Sequence, residues 1–254
     1  MATNRVQNCN EVEQLETFQP LKSCVVHRID RLSSIFDLAS LITKAKSTRK
    51  FSIHTTRATE QGTVTRIVIE FLDIGQVQNT VLLFEVLYLP PSTMALTFFA
   101  IHILLKTIFD LSKKFIVWSD DNRNDLQVFS DYEYIPLSIL ENINIIELQG
   151  PFKQWYNQTF KHLEHCYVAP VYRHDALFCV CAHRPYKNRH DHWSLSKAIE
   201  YVFNEYITDT NGNEMNYPEN INHLIRCCLT ITKLTMVVEL NWTAEQISQY
   251  KRFH

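Results

Sequence analysis

The chain has 254 residues and a net charge of −2, with 46% hydrophobic and 20% charged residues. That balance provides for a sizeable buried core, rules out a chain that is mostly low-complexity, and gives no overall basic footprint of the kind that drives non-specific nucleic-acid binding. Only four glycines occur, Gly62, Gly75, Gly150 and Gly212, so a G-x-G-x-x-G turn, a P-loop and a G-x-S-x-G elbow are all excluded.

Residues 1–24 are polar and loosely patterned and read as an arm before a single domain at 25–254. They lack the apolar core of a signal peptide. Apolar residues at Leu32, Ile35, Phe36, Leu38, Leu41 and Ile42 recur at helical spacing and predict a helix over Ile29–Lys46. Lys50–Thr55, Thr63–Asp73 and Thr80–Leu89 are short β-branched or apolar runs and predict three strands in succession, the last ended by Pro90-Pro91. Met94–Leu111 reads as an apolar helix. Its longest apolar run, Met94–Leu105, stops at Lys106 and is too short to span a bilayer, so no membrane association is expected. Lys114–Trp118 reads as a buried strand. Asp120-Asp121-Asn122 then offers an N-cap for a helix through Phe129, and Asn142–Leu148 reads as a fifth strand. Helices follow at Pro151–His165, Trp193–Ile207 and Asn222–Leu240, with a short one from Asn241. Three successive strands followed by strands separated by helices predict an α/β three-layer domain with a mixed five-stranded sheet.

Seven cysteines without a C-x-x-C pair point to reduced thiols and an intracellular protein, cytoplasmic or nuclear. Between the helices, residues 166–192 form an irregular segment rich in His, Cys and aromatics. Its spacings match no zinc knuckle, and Cys179 and Cys181 read as small apolar residues on one face of a short strand. Within it, Arg184, Tyr186, Lys187 and Arg189 make a locally basic stretch with interleaved aromatics, a pattern that suits tracking along a nucleic-acid backbone. A solvated loop is the plainer reading.

The run His223-Leu-Ile-Arg-Cys-Cys-Leu-Thr-Ile-Thr-Lys-Leu234 resembles the third motif of the DEDD (DnaQ-like) 3′–5′ exonucleases, in whose tyrosine branch a Tyr-x-x-x-Asp precedes Cys/Ala-Leu-x-x-Thr. Lys50–Thr56 with Thr65–Phe71 resembles the first motif, a strand bearing Asp-x-Glu. Phe115–Ser119 with Asn124-Asp-Leu126 resembles the second, Ile143–Gln149 the fifth strand, and Trp193–Ile199 a helix start of the family. The resemblance covers roughly residues 48–240 and implies a ribonuclease H-like fold. It also implies four carboxylates around two Mg²⁺ ions about 4 Å apart, which activate water and stabilise the leaving oxygen.

At the matching positions this chain carries His54 and Thr56 for the Asp-x-Glu, Asp125 for the second-motif Asp, and His223 and Cys227 for the third-motif Tyr and Asp. One carboxylate cannot assemble a two-Mg²⁺ site, since hard Mg²⁺ calls for carboxylate oxygens. The resemblance therefore implies a catalytically degenerate domain that binds nucleic acid or a protein partner. Three further readings of these positions compete with it. An active exonuclease would hold its metal around Asp125 with help from Glu70 or Asp121. A structural module would hold Zn²⁺ through His54, Asp125, His223 and Cys227, a borderline-soft set. A thiol nucleophile would use Cys227 one helical turn from His223.

Overall fold

The structure, a computed structural model, describes residues 15–57, 63–73, 75, 77–119, 122–161, 181, 183, 185, 191–207 and 221–253. Its centre is a six-stranded mixed sheet. Strands β2 (Cys24–Ile29), β3 (Lys50–Arg57), β4 (Val64–Phe71), β5 (Asn79–Glu85), β6 (Lys114–Val117) and β7 (Asn144–Glu147) lie in the order β2-β5-β4-β3-β6-β7. The predicted meander is β3-β4-β5, antiparallel throughout, and β6 and β7 add in parallel on the far side of β3. This is the ribonuclease H-like arrangement with one strand more than predicted. The extra strand, β2, pairs in parallel with the outer side of β5.

β2 displaces the start of the first helix. The helix predicted from Ile29 begins at Ile35 as α1 (Ile35–Ser47), because Asp30 turns the chain. The Asp30 carboxylate accepts the Leu32 amide at 2.7 Å, and the Asp30 amide donates to Ser33 Oγ at 2.9 Å. Both bonds draw backbone donors away from a helical ladder. Of the predicted arm, residues 15–23 are described: β1 (Glu16–Thr17) pairs in parallel with β8 (Glu205–Tyr206), and Phe18 is buried.

The sheet separates two apolar cores. On one face, α1 and α2 (Ala95–Ile108) bury Leu38, Leu41, Ile101, Leu104 and Leu105 against Phe51, Phe71 and Phe115. The Phe51 ring meets Phe71 edge-on at 5.0 Å and stacks on Phe115 at 5.6 Å. Lys113 ties this layer together. Its buried ammonium donates to the carbonyls of Ala45, Lys46 and Thr48, placing a positive charge where the dipole of α1 ends negative.

On the other face lies α8 (Ile221–Glu239), covered by α6 (Gln149–Thr159) and α7 (Leu195–Phe203), with α9 (Ala244–Phe253) against α7. By length and composition α8 could cross a membrane, yet most of it is buried between the sheet and its helical neighbours. Ser194 caps α7 by accepting the Lys197 amide at 3.2 Å. Asn204, at φ 60°, ends the same helix in the left-handed conformation that Asn tolerates. The helix predicted through Phe129 is two single turns, α3 (Asn122–Asp125) and α4 (Val128–Asp131), followed by the unpredicted α5 (Leu137–Asn142).

Candidate functional site

Strand β3 supplies the frame. Side chains alternate across a strand, so Phe51 and Ile53 enter the core under α1 and α2, while Ser52 and His54 face α8. Ser52 Oγ lies 2.9 Å from Thr232 Oγ1 and 3.4 Å from Cys228 Sγ, which fixes the register of α8 on the strand. One turn towards the N-terminus of that helix, His223 Nε2 sits 3.5 Å from Cys227 Sγ. His223 and His54 are electrostatic neighbours, and so are His54 and Asp125. His54, Asp125, His223 and Cys227 thus gather at one corner, formed by β3, the first half of α8 and α3.

At this corner a neutral imidazole and a neutral thiol stand beside one compensated ion pair. Burial pushes the His54 imidazole down to about 4; His223 pushes the same way and Asp125 opposes. His54 is therefore neutral at physiological pH. Burial also pushes the Cys227 thiol up to about 12, so it carries no thiolate for nucleophilic attack. The reading of Cys227 as a nucleophile activated by His223 fails on that ground.

Asp125, buried at the end of α3, is held on both oxygens. Arg57 donates from Nε to Oδ1 at 2.6 Å and also from Nη2, and Thr55 Oγ1 donates to Oδ2. Thr56 Oγ1 is buried and finds no hydrogen-bond partner among the described residues. Two Mg²⁺ ions do not fit the donor set of the described residues, in which the corner offers a buried hydroxyl, a neutral imidazole, a neutral thiol and one carboxylate already paired with a guanidinium. The zinc set fares no better. Among the described residues no group of three or more His, Cys, Asp or Glu side chains stands in metal-holding geometry, and Asp125 is turned to Thr55 and Arg57.

Of the two other proposed carboxylates, Glu70 is described and does not help. Glu70 is fully buried, and its carboxyl accepts from Ser52, Thr232 and Asn79 rather than from any residue of the corner. Its lack of access excludes it as a substitute ligand. Asp121, Arg184, Tyr186, Lys187 and Arg189 lie outside the described residues. Of the His- and Cys-rich segment, Cys181 is buried, the Tyr156 hydroxyl donates to the His183 carbonyl, and His192 Nδ1 lies 2.8 Å from Gln149 Oε1.

No protein-family model matches the chain, and no curated protein matches its sequence. Solved structures it is similar to include exonuclease domains and ribonucleases D. The Nibbler EXO domain of Aedes aegypti matches at 12% identity and a TM-score of 0.49, over 92% of this chain and 99% of that one. Escherichia coli RNase D, an exoribonuclease involved in structured RNA processing, matches at 13% identity and a TM-score of 0.45, over 85% of this chain and 45% of its own. Trypanosoma brucei RNase D in complex with GMP matches at 14% and 0.44, over 89% of this chain and 64% of its own.

Two residues that shape the corner escaped the sequence reading, Thr55 and Arg57. A buried carboxylate calls for a cation, but Lys50 and Arg57 both lie on β3 and nothing in the sequence separates them.

Proposed function

We propose that this chain is a 3′–5′ exonuclease-like domain, degenerate in its hydrolytic site, that acts as a nucleic-acid-binding module in RNA or DNA metabolism inside the cell. The observation that carries the reading is that, of the motif positions, only Asp125 bears a carboxylate, and it is paired with Arg57. The resemblance of five motifs in order supports the exonuclease type, and the odd set of cysteines without C-x-x-C supports an intracellular setting. Within this reading the corner retains the shape of the site without the anionic donors that would concentrate two metal ions. Affinity then comes from local charge, because the chain as a whole is slightly negative.

The basic, aromatic stretch with Arg184, Tyr186, Lys187 and Arg189 is the sequence feature best suited to that role. Its cations would meet phosphates and Tyr186 would stack on a base. Fluorescence anisotropy with labelled single-stranded RNA and DNA tests this. Binding should weaken with salt at a log–log slope of roughly −0.7 per phosphate contact. Changing Arg184, Lys187 and Arg189 together to Ala should lower affinity alike for all sequences, since phosphate contacts carry no sequence information. No binding to any nucleic acid at physiological salt would contradict the proposal and favour a protein partner.

A further inference from the structure

The ion pair at the motif corner goes beyond a missing metal site. Asp125 is buried, yet it is not left as an unpaired charge, whose cost would be prohibitive. Its partner comes from the strand that, in the resembling family, contributes metal ligands. The ladder between β3 and β4 slips between Thr56 and Arg57, a bulge-type irregularity of the sort that re-aims a side chain beside a site. From there Arg57 places Nε and Nη2 on one carboxylate oxygen, while Thr55 takes the other. The Arg57 side chain remains 47% exposed while that of Asp125 is 7% exposed, so the guanidinium lies between the carboxylate and solvent.

We infer that the Arg57 guanidinium is the built-in counter-cation of Asp125, taking the place a metal ion would fill and closing this corner to divalent cations. The inference rests on the reading of the corner as a degenerate exonuclease site. Three physical points support it. First, guanidinium is charged at every accessible pH, so the carboxylate is neutralised permanently. Second, the cation is tethered, and an intramolecular partner acts at an effective concentration that a dissolved ion at millimolar levels must compete against. Third, the other motif positions offer no second anion: His54, Thr56 and Cys227 stand where the resembling family has carboxylates, so Asp125 alone would have to answer the charge of an incoming ion. A divalent ion would have to displace Arg57 and then sit beside its positive charge.

The test follows thermal unfolding of the full chain with and without millimolar Mn²⁺, with Mn²⁺ electron paramagnetic resonance as a direct count of bound ion. The wild type should show no Mn²⁺-dependent rise in Tm. Arg57→Gln should lower Tm, and Mn²⁺ should restore part of the loss. In Arg57→Gln/Asp125→Asn the restoration should disappear. Arg57→Lys keeps a tethered cation and should stay insensitive to Mn²⁺, which keeps the idea testable if the Gln variant fails to fold.

A wild-type Tm that rises with Mn²⁺, with the rise lost in Asp125→Asn, would overturn the inference. So would an Arg57→Gln protein that folds and responds to Mn²⁺ no more than the wild type. Both outcomes are separable from failure of the functional reading, which would show as metal-dependent hydrolysis of a nucleic acid. A wild type that binds Mn²⁺ at Asp125 without hydrolysing anything refutes the counter-cation alone.

Discussion

Replacing Glu70 by Gln should make the protein more stable at neutral and alkaline pH. Glu70 sits between the sheet and α8, fully buried, and burial pushes its carboxyl from an ordinary 4.5 up to about 7; the bonds from Thr232, Ser52 and Asn79, and the charge of Lys22, oppose the rise without cancelling it. The folded state therefore holds a proton that the unfolded state releases. This contribution is fully present below about pH 4.5, is lost as pH rises towards 7, and does not change further above that. At about 1.4 kcal/mol per pH unit the loss is about 3 kcal/mol.

Gln removes the titration and keeps the hydrogen bonds. Its carbonyl can accept from Asn79, and its amide can donate to the Ser52 and Thr232 hydroxyls, which serve as donor or acceptor. The wild-type profile alone would hide the effect. His54, lowered from 6.5 to about 4, contributes with the opposite sign: its stabilisation is present above about pH 6.5 and is lost as pH falls towards 4. The two slopes nearly cancel between pH 4.5 and 6.5. The assay is therefore a difference, urea unfolding of Glu70→Gln against wild type at several pH values from about 5 to about 8. The gap should widen with pH in favour of the variant, by about 2.5 kcal/mol over that range. A gap that stays constant across the range would refute a buried carboxyl that titrates near neutrality.

Lys233 gives a second test. Its fully buried ammonium lies 2.7 and 2.8 Å from the two Glu205 oxygens, donates to the Gln19 carbonyl, and faces the rings of Phe203, Tyr250 and Phe18. Lys233→Met should cost about 3–5 kcal/mol by stranding Glu205, and adding Glu205→Gln should recover part of that in chemical unfolding. Phe51→Ala removes the ring that joins Phe71 to Phe115 and should cost about 3–5 kcal/mol, with the far-ultraviolet spectrum retained. Cys227 and Cys228, both buried with thiols pushed well up by burial, should resist iodoacetamide in the native state at neutral pH and react once urea is added, as read by peptide mass spectrometry. Rapid native labelling of Cys227 would count against the neutral, enclosed corner.

The central strands were legible because β3, β4 and β5 are bounded runs of β-branched and apolar residues; their order came with the family resemblance, since pattern alone does not separate it from other mixed α/β orders. β2 was not, since His27 and Arg28 interrupt its apolar pattern as suits an edge strand whose Arg28 reaches Glu85 and Asp30. The helix expected from Asp120 onwards breaks after one turn. Its apolar residues Leu126, Val128 and Phe129 satisfy the core from a compact double turn, which periodicity cannot distinguish from a longer helix. The corner was legible as a set of positions, because motif order fixes which strand and helix meet. Its charge state was not. The Arg57–Asp125 pair joins residues 68 apart in the chain, and no local pattern signals which of several cations a buried carboxylate selects.

Incubation of the purified chain with end-labelled single-stranded RNA and DNA, in Mg²⁺ and separately in Mn²⁺, tests the central claim most directly. The account predicts intact substrate at every time point, with Asp125→Ala indistinguishable from wild type. Stepwise shortening from the 3′ end that requires the metal ion and disappears in Asp125→Ala would contradict it.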